Sequence, residues 1–136
     1  METINIHADI QLLYVTATSF PDGIMAAQQE LRARVPFSTE RKFYGISRPE
    51  AQQGIVYRAA AEELYPGEAG KAGMETLVLK KGRYISLTIP DYLEDLASIA
   101  NAFRELLAQP GLDPQGYCVE WYLSQKAVQC MVRLED

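Results

Sequence analysis

Glu120 and Tyr122 are the residues of this chain best placed to do chemistry. They sit two apart in Tyr117-Cys118-Val119-Glu120-Trp121-Tyr122-Leu123, which turns through Gln125-Lys126 into Ala127-Val128-Gln129-Cys130-Met131-Val132-Arg133-Leu134. Both arms alternate in the manner of half-buried strands, so a carboxylate and a phenol two residues apart share one face. An unpaired carboxylate in such a setting can balance a cationic ligand or act as a general base. A neighbouring tyrosine can stack on a cation or supply a proton. Other chemistries lack their parts. The chain has one histidine, His7, and two cysteines, Cys118 and Cys130, with no CxxC, so neither a zinc site nor a histidine triad can be assembled. Gly67-Glu68-Ala69-Gly70-Lys71-Ala72 has the wrong spacing for a phosphate loop, lacks its Ser/Thr, and carries a glutamate that would repel phosphate.

With Gln125-Lys126 as a two-residue loop, Leu123 lies opposite Val128, Trp121 opposite Cys130 and Val119 opposite Val132. These six and Leu134 form an apolar face, which makes Trp121 a core residue. Cys118, Glu120, Tyr122, Gln129, Met131 and Arg133 form the other face, away from the helices. A one-residue slip would exchange the faces. In this register the two thiols point to opposite sides and stay free. A plainer role for Glu120 is a diagonal pair with Arg133, contributing roughly 0.2–1 kcal/mol.

The elements that carry this hairpin read off in order. Residues 10–18 (IQLLYVTAT) form a strand, and Pro21-Asp22 opens a helix with Ile24, Ala27, Gln28, Leu31 and Val35 at helical spacing, ended by Pro36. Residues 43–47 and 54–61 form two strands. Residues 63–73 link two halves, with glycines and a proline and no apolar period. Residues 74–80 and 83–89 are strands. In the second, Ile85, Leu87 and Ile89 face one way and Tyr84, Ser86 and Thr88 the other. Asp91 and Glu94 make a capping box for a second helix with a stripe of Leu93, Leu96, Ile99, Ala100, Phe103, Leu106 and Leu107, stopped by Pro110-Gly111. Laying Gly54 on Ala127 aligns Tyr44 with Tyr117, Ser47 with Glu120 and Tyr57 with Cys130. The expected fold is a single α+β domain, residues 1–136. Two β-α-β-β repeats, about 9–62 and 74–136, form one antiparallel sheet with two helices on one face and a ligand groove on the other.

This pattern, with Gly82-x-Tyr84 opening the second half, Glu120-x-Tyr122 in the penultimate strand and Phe43-Tyr44-Gly45-Ile46 in the first, resembles the GyrI-like small-molecule-binding domain. That domain is also the effector-binding half of multidrug-sensing transcription activators. The resemblance runs from about Ile10 to the end. It implies that Glu120 lies on the floor of an aromatic pocket facing lipophilic cations, with Tyr122 as a wall. Tyr84, Tyr57, Trp121 and Met131 complete the expected ligand-binding set. With no DNA-binding region ahead of the domain, the chain reads as a stand-alone module.

Three function classes follow. The first is binding of bulky, lipophilic, cationic aromatic molecules. The second is hydrolysis of cyclopropane-bearing or similar electrophiles, with Glu120 as catalytic base and a tyrosine as acid. The third is a protein-interaction module of the gyrase-inhibitor kind. No cofactor and no metal are expected. A net charge of −5, with the basic residues scattered along the chain, argues against nucleic acid. The first residues lack the basic and apolar regions of a leader, and no apolar run approaches the ~20 residues of a membrane span. The expectation is a cytoplasmic monomer or weak homodimer without membrane contact.

Overall fold

A computed structural model describes residues 1–95 and 97–136. Among the described residues eight strands and three helices follow in the order β1 (Glu2–Ile6), β2 (Ile10–Thr16), α1 (Ile24–Arg34), β3 (Phe43–Glu50), β4 (Gly54–Glu62), α2 (Glu68–Ala72), β5 (Glu75–Leu79), β6 (Gly82–Ile89), α3 (Ser98–Leu107), β7 (Cys118–Tyr122) and β8 (Val128–Arg133). All eight strands join one antiparallel sheet in the order β1-β6-β8-β7-β3-β4-β2-β5. The expected α+β architecture is present. The triplets β6-β8-β7 and β3-β4-β2 mirror one another across the central β7–β3 pairing, as two β-α-β-β units should.

The topology forces the sheet to curl. β5 is one edge and β6 is next to the other, yet only Lys80 and Lys81 separate them in sequence. The helix-free face therefore closes on its own core of Leu12, Tyr44, Ile46, Ala60, Leu79, Tyr84, Val119 and Met131, each less than a tenth exposed. On the opposite face, α1 packs on β2 and β4, and α3 on β6 and β8. Leu31 and Ala27 meet Leu13, Val15 and Ala59. Ala102 and Leu106 meet Val128, Cys130 and Val132. The helices thus cover the flanking strands and leave the β3–β7 seam between them.

Several expectations need correction. The first residues, outside both expected repeats, form β1 along β6, where Ile4 and Ile6 pack against the helix-free core. The 63–73 link contains α2, capped at both ends by left-handed glycines, Gly67 and Gly73. A buried ion pair between Arg41 Nη2 and Glu68 Oε2 at 2.6 Å fastens it to the approach to β3. The capping box does not form. Asp91 Oδ1 accepts from the Leu93 amide and Asp95 Oδ1 from the Ala97 amide, and α3 begins only at Ser98. Leu93 consequently stands exposed rather than in the apolar stripe, and Leu96 lies outside the described residues.

The largest correction is the hairpin register. Tyr122 pairs with Val128, Trp121 with Gln129, Glu120 with Cys130, Val119 with Met131 and Cys118 with Val132, a slip of one from the expected pairing. The cause is turn chemistry. Ser124 Oγ accepts from the Lys126 and Ala127 amides, and the Leu123 amide donates to the Ala127 carbonyl. The turn therefore closes around Ser124 instead of Gln125-Lys126. One residue of slip exchanges the faces: Glu120, Tyr122 and Cys118 join Val128, Cys130 and Val132 under the helices. Trp121, Gln129, Met131 and Arg133 face the other way. Cys118 and Cys130 now share a face, contrary to expectation, and both are free thiols.

Candidate functional site

Glu120 lies in the seam between the two helices, in the middle of β7. Its backbone pairs with Gly45 of β3 on one side and Cys130 of β8 on the other. The Tyr122 hydroxyl donates to Glu120 Oε1 at 2.7 Å. The Tyr57 and Tyr122 hydroxyls lie 3.1 Å apart, and Gln28 Nε2 on α1 donates to the Tyr57 hydroxyl at 2.9 Å. With Tyr122 donating to the carboxylate, its oxygen is left to accept from Tyr57, which itself accepts from Gln28. All four groups then polarise in one direction, toward Glu120.

Gly45 makes this chain possible. A Cβ there would fall 2.5 Å from the Tyr57 hydroxyl, so only a glycine lets Tyr57 of β4 lie across β3 and reach Tyr122 of β7. Aromatic rings complete the walls. Phe20 stacks on Tyr57 with centroids 6.3 Å apart, and Tyr92 meets Tyr122 at 6.3 Å with the planes tilted by 54°. Phe20 precedes α1 and is 41% exposed, and Tyr92 lies in the turns before α3. Both side walls thus come from segments outside regular structure.

The electrostatics of the seam follow from burial. Glu120 is 7% exposed, and no ion pair among the described residues includes it. Loss of water pushes its carboxyl from the ordinary 4.5 up to about 7, against the opposing pull of the Tyr122 hydrogen bond. Burial and the nearby carboxylate raise Tyr57 to about 12 and move Tyr122 upward as well. The same two causes push Cys118 to about 11 and Cys130 to about 12, which makes both poor nucleophiles. Arg133 is not a partner for Glu120: it lies on the other face, held by Asp113 at 2.9 Å and Asp136 at 2.9 Å.

Of the six residues expected in the ligand site, the structure gathers Glu120, Tyr122 and Tyr57. It separates Tyr84, Trp121 and Met131 from them by the thickness of the sheet. Tyr84 donates to the Lys80 carbonyl at 2.6 Å, and Met131 is 1% exposed in the helix-free core. Trp121 stacks on Tyr44 at 6.4 Å, with Lys42 Nζ 5.3 Å from its ring. The helix-free face does hold a groove, a cavity of about 220 Å³ lined by Val78, Tyr84, Tyr117, Val119 and Arg133, but Glu120 is not in it. Sequence reasoning missed Gln28, Phe20, Tyr92 and the role of Gly45. The repeat alignment carried a usable signal: it set Ser47 and Tyr57 beside Glu120 and Cys130, and Ser47 pairs with Tyr57 as Glu120 pairs with Cys130.

Among the described residues no three His, Cys, Asp or Glu side chains gather as a metal site. No described helix is long and apolar enough to cross a membrane.

No protein-family model matches the chain, and no curated protein sequence matches it. Solved structures do. An integron cassette protein from the mobile metagenome of Vibrio cholerae superposes with a TM-score of 0.70 at 13% identity, covering 98% of this chain and 95% of that one. A hydrolase from Listeria innocua gives 0.66 at 12% identity, over 98% and 90% of the two chains. A protein solved bound to tetraphenylphosphonium, SAV2435, gives 0.63 at 10% identity, over 98% and 93%. At these identities the likeness is one of fold.

Proposed function

We propose that the chain is a GyrI-like module that binds bulky, lipophilic, cationic aromatic molecules in the seam between its helices, with Glu120 as the counter-charge. The observation that carries this reading is a nearly buried carboxylate whose partner is a tyrosine hydroxyl rather than a cation. Such a group is costly to ionise in the closed protein, and a cation entering the seam would remove that cost. Tyr57, Tyr122, Tyr92 and Phe20 offer ring faces, each worth about 0.5–2 kcal/mol to a desolvated cation. The fold shared with a protein solved with tetraphenylphosphonium supports the same ligand class.

Glu120 and Tyr57 are each less than a tenth exposed, so entry of a ligand requires the walls to part. Phe20 and Tyr92 are the groups to move, since neither belongs to a strand or helix. Opening them exposes Tyr57, Tyr122 and the carboxylate without disturbing the β-ladder. A ligand centred on Glu120 then exchanges the Tyr122 hydroxyl for its own positive charge.

A second reading rests on one feature of the same site. A carboxyl raised to about 7 is poised to accept a proton near neutral pH, which suits a general base acting on water during hydrolysis of an electrophile.

Mapping tetraphenylphosphonium by backbone and side-chain NMR tests the binding site. Saturable shifts should concentrate at Tyr57, Tyr92, Glu120 and Tyr122, leaving Tyr84 and Met131 still. Shifts confined to Tyr84, Tyr117 and Met131 would move the ligand to the helix-free face and refute the assignment.

A further inference from the structure

The helix-free side carries a second cavity with the opposite electrostatic character. It has a volume of about 380 Å³ and opens where the end of β1, the β5–β6 turn and the end of β8 meet. Lys80, Lys81, Arg83 and Arg133 line it with His7, against two carboxylates, Glu135 and Asp136. Four of the chain's thirteen lysines and arginines thus converge on one cleft of a protein whose net charge is −5. Lys80, Lys81 and Arg83 lie together in the sequence, and the pairing of β6 with β8 brings Arg133 to them.

Arg133 is the fixed point. Its side chain is 6% exposed, and Nε donates to the Lys81 carbonyl at 2.9 Å. Nη1 donates to Asp113 Oδ2 at 2.9 Å, a carboxylate itself only 13% exposed. Nη2 donates to Asp136 Oδ1 at 2.9 Å, but that carboxylate is 81% exposed. Gly82 keeps the slot open: it has φ +138°, and a Cβ there would lie 2.7 Å from Nη2. One terminal nitrogen of a buried guanidinium is thus committed to the interior. The other holds a solvent-exposed carboxylate at the wall of a basic cleft. Exposed ion pairs are weak and readily exchanged, whereas a guanidinium fixed in place recognises oxyanions with little ordering cost.

We propose that this cleft is a binding site for small ligands bearing two or more anionic oxygens, a phosphate or a polycarboxylate, with Asp136 as an internal occupant that the ligand displaces. One ligand oxygen takes the place of Asp136 Oδ1 on Arg133 Nη2. The remaining charge is met by Lys80 and Lys81 at the rim. The site is separate from the seam around Glu120, on the opposite face of the sheet, and stands or falls independently of it.

The test uses the full chain, isotope-labelled, titrated with inorganic phosphate and with citrate in separate arms, each at ionic strength matched by sodium chloride. Saturable shifts are expected at the Lys81, Gly82 and Arg133 amides. Asp136→Asn removes the competing carboxylate and should tighten binding about two- to fivefold, the size of an exposed ion pair. Lys81→Gln, which keeps the backbone bond from its amide to Asp9, should weaken it. Saturation by phosphate alone assigns the site to phosphate-bearing ligands, by citrate alone to polycarboxylates, and by both to the shared chemistry. Shifts no larger than the chloride control in both arms overturn the proposal. So does an Asp136→Asn variant that binds no tighter, or a Lys81→Gln variant that binds as well as the parent.

Discussion

Replacing Glu120 by glutamine should stabilise this protein at alkaline pH and leave it unchanged in acid. The carboxyl ionises at about 7 in the folded chain against an ordinary 4.5. As pH rises between those values the unfolded chain loses the proton while the folded chain keeps it. The folded state binds more protons, so stability falls with rising pH in this window. A difference of about 2.5 units at 1.36 kcal/mol each gives a loss on the order of 3 kcal/mol by pH 8. Below pH 4 both states are protonated and the loss vanishes. Glutamine retains the acceptor for the Tyr122 hydroxyl and carries no charge to desolvate, so the variant should lack this pH-dependent term. Urea denaturation of parent and variant from pH 4 to pH 8 measures it, because every other titrating group cancels in the difference. The gap should open in favour of the variant as pH rises. A gap that stays flat, or that widens in favour of the parent, would refute the claim that Glu120 is a desolvated, unpaired carboxyl.

The pH dependence of cation binding follows from the same proton. Below about 7 a cation must displace it, so the apparent Kd for tetraphenylphosphonium should rise about tenfold per pH unit, read by calorimetry between pH 5 and 8. Gly45→Ala places a Cβ 2.5 Å from the Tyr57 hydroxyl and should cost about 1–3 kcal/mol in urea denaturation while also weakening cation binding. Tyr122→Phe removes the hydrogen bond that holds the Glu120 carboxyl down. The carboxyl should then titrate higher still, as read from its side-chain NMR signal. Trp121→Phe, across the sheet, should leave cation affinity within about twofold, well under the tenfold that 1.4 kcal/mol represents.

The elements of the two repeats were legible in the sequence because their signals are local, whereas β1 and α2 were not. Alternation marked the strands and helical spacing marked α1 and α3, so the two β-α-β-β units could be assembled into one sheet. What escaped depended on single polar atoms. The Ser124 hydroxyl reset the hairpin by one residue, and Asp91 and Asp95 drew the chain into turns where a helix start was expected. Because strand side chains alternate, that one residue carried Glu120 and Tyr122 to the helix face, moved Trp121 off it, and left Tyr84 and Met131 behind. The pairing of Glu120 with Tyr122 survived the slip, since two residues on one strand keep the same face in any register. Phe20 and Tyr92 gave no periodic signal, because they stand in turns. Gln28 read as one more residue of the α1 pattern, although its amide is what closes the chain of hydrogen bonds at Tyr57.

In the proposed site a single carboxylate in the helix seam selects for positive charge. Calorimetry at pH 8, where Glu120 is ionised, with tetraphenylphosphonium and with the uncharged triphenylphosphine oxide, against parent and Glu120→Gln, tests it directly. The cation should bind the parent and lose about tenfold in affinity for each 1.4 kcal/mol of removed attraction in the variant, while the neutral ligand changes by less than about twofold. Equal cation affinity in parent and variant would rule out Glu120 as the counter-charge.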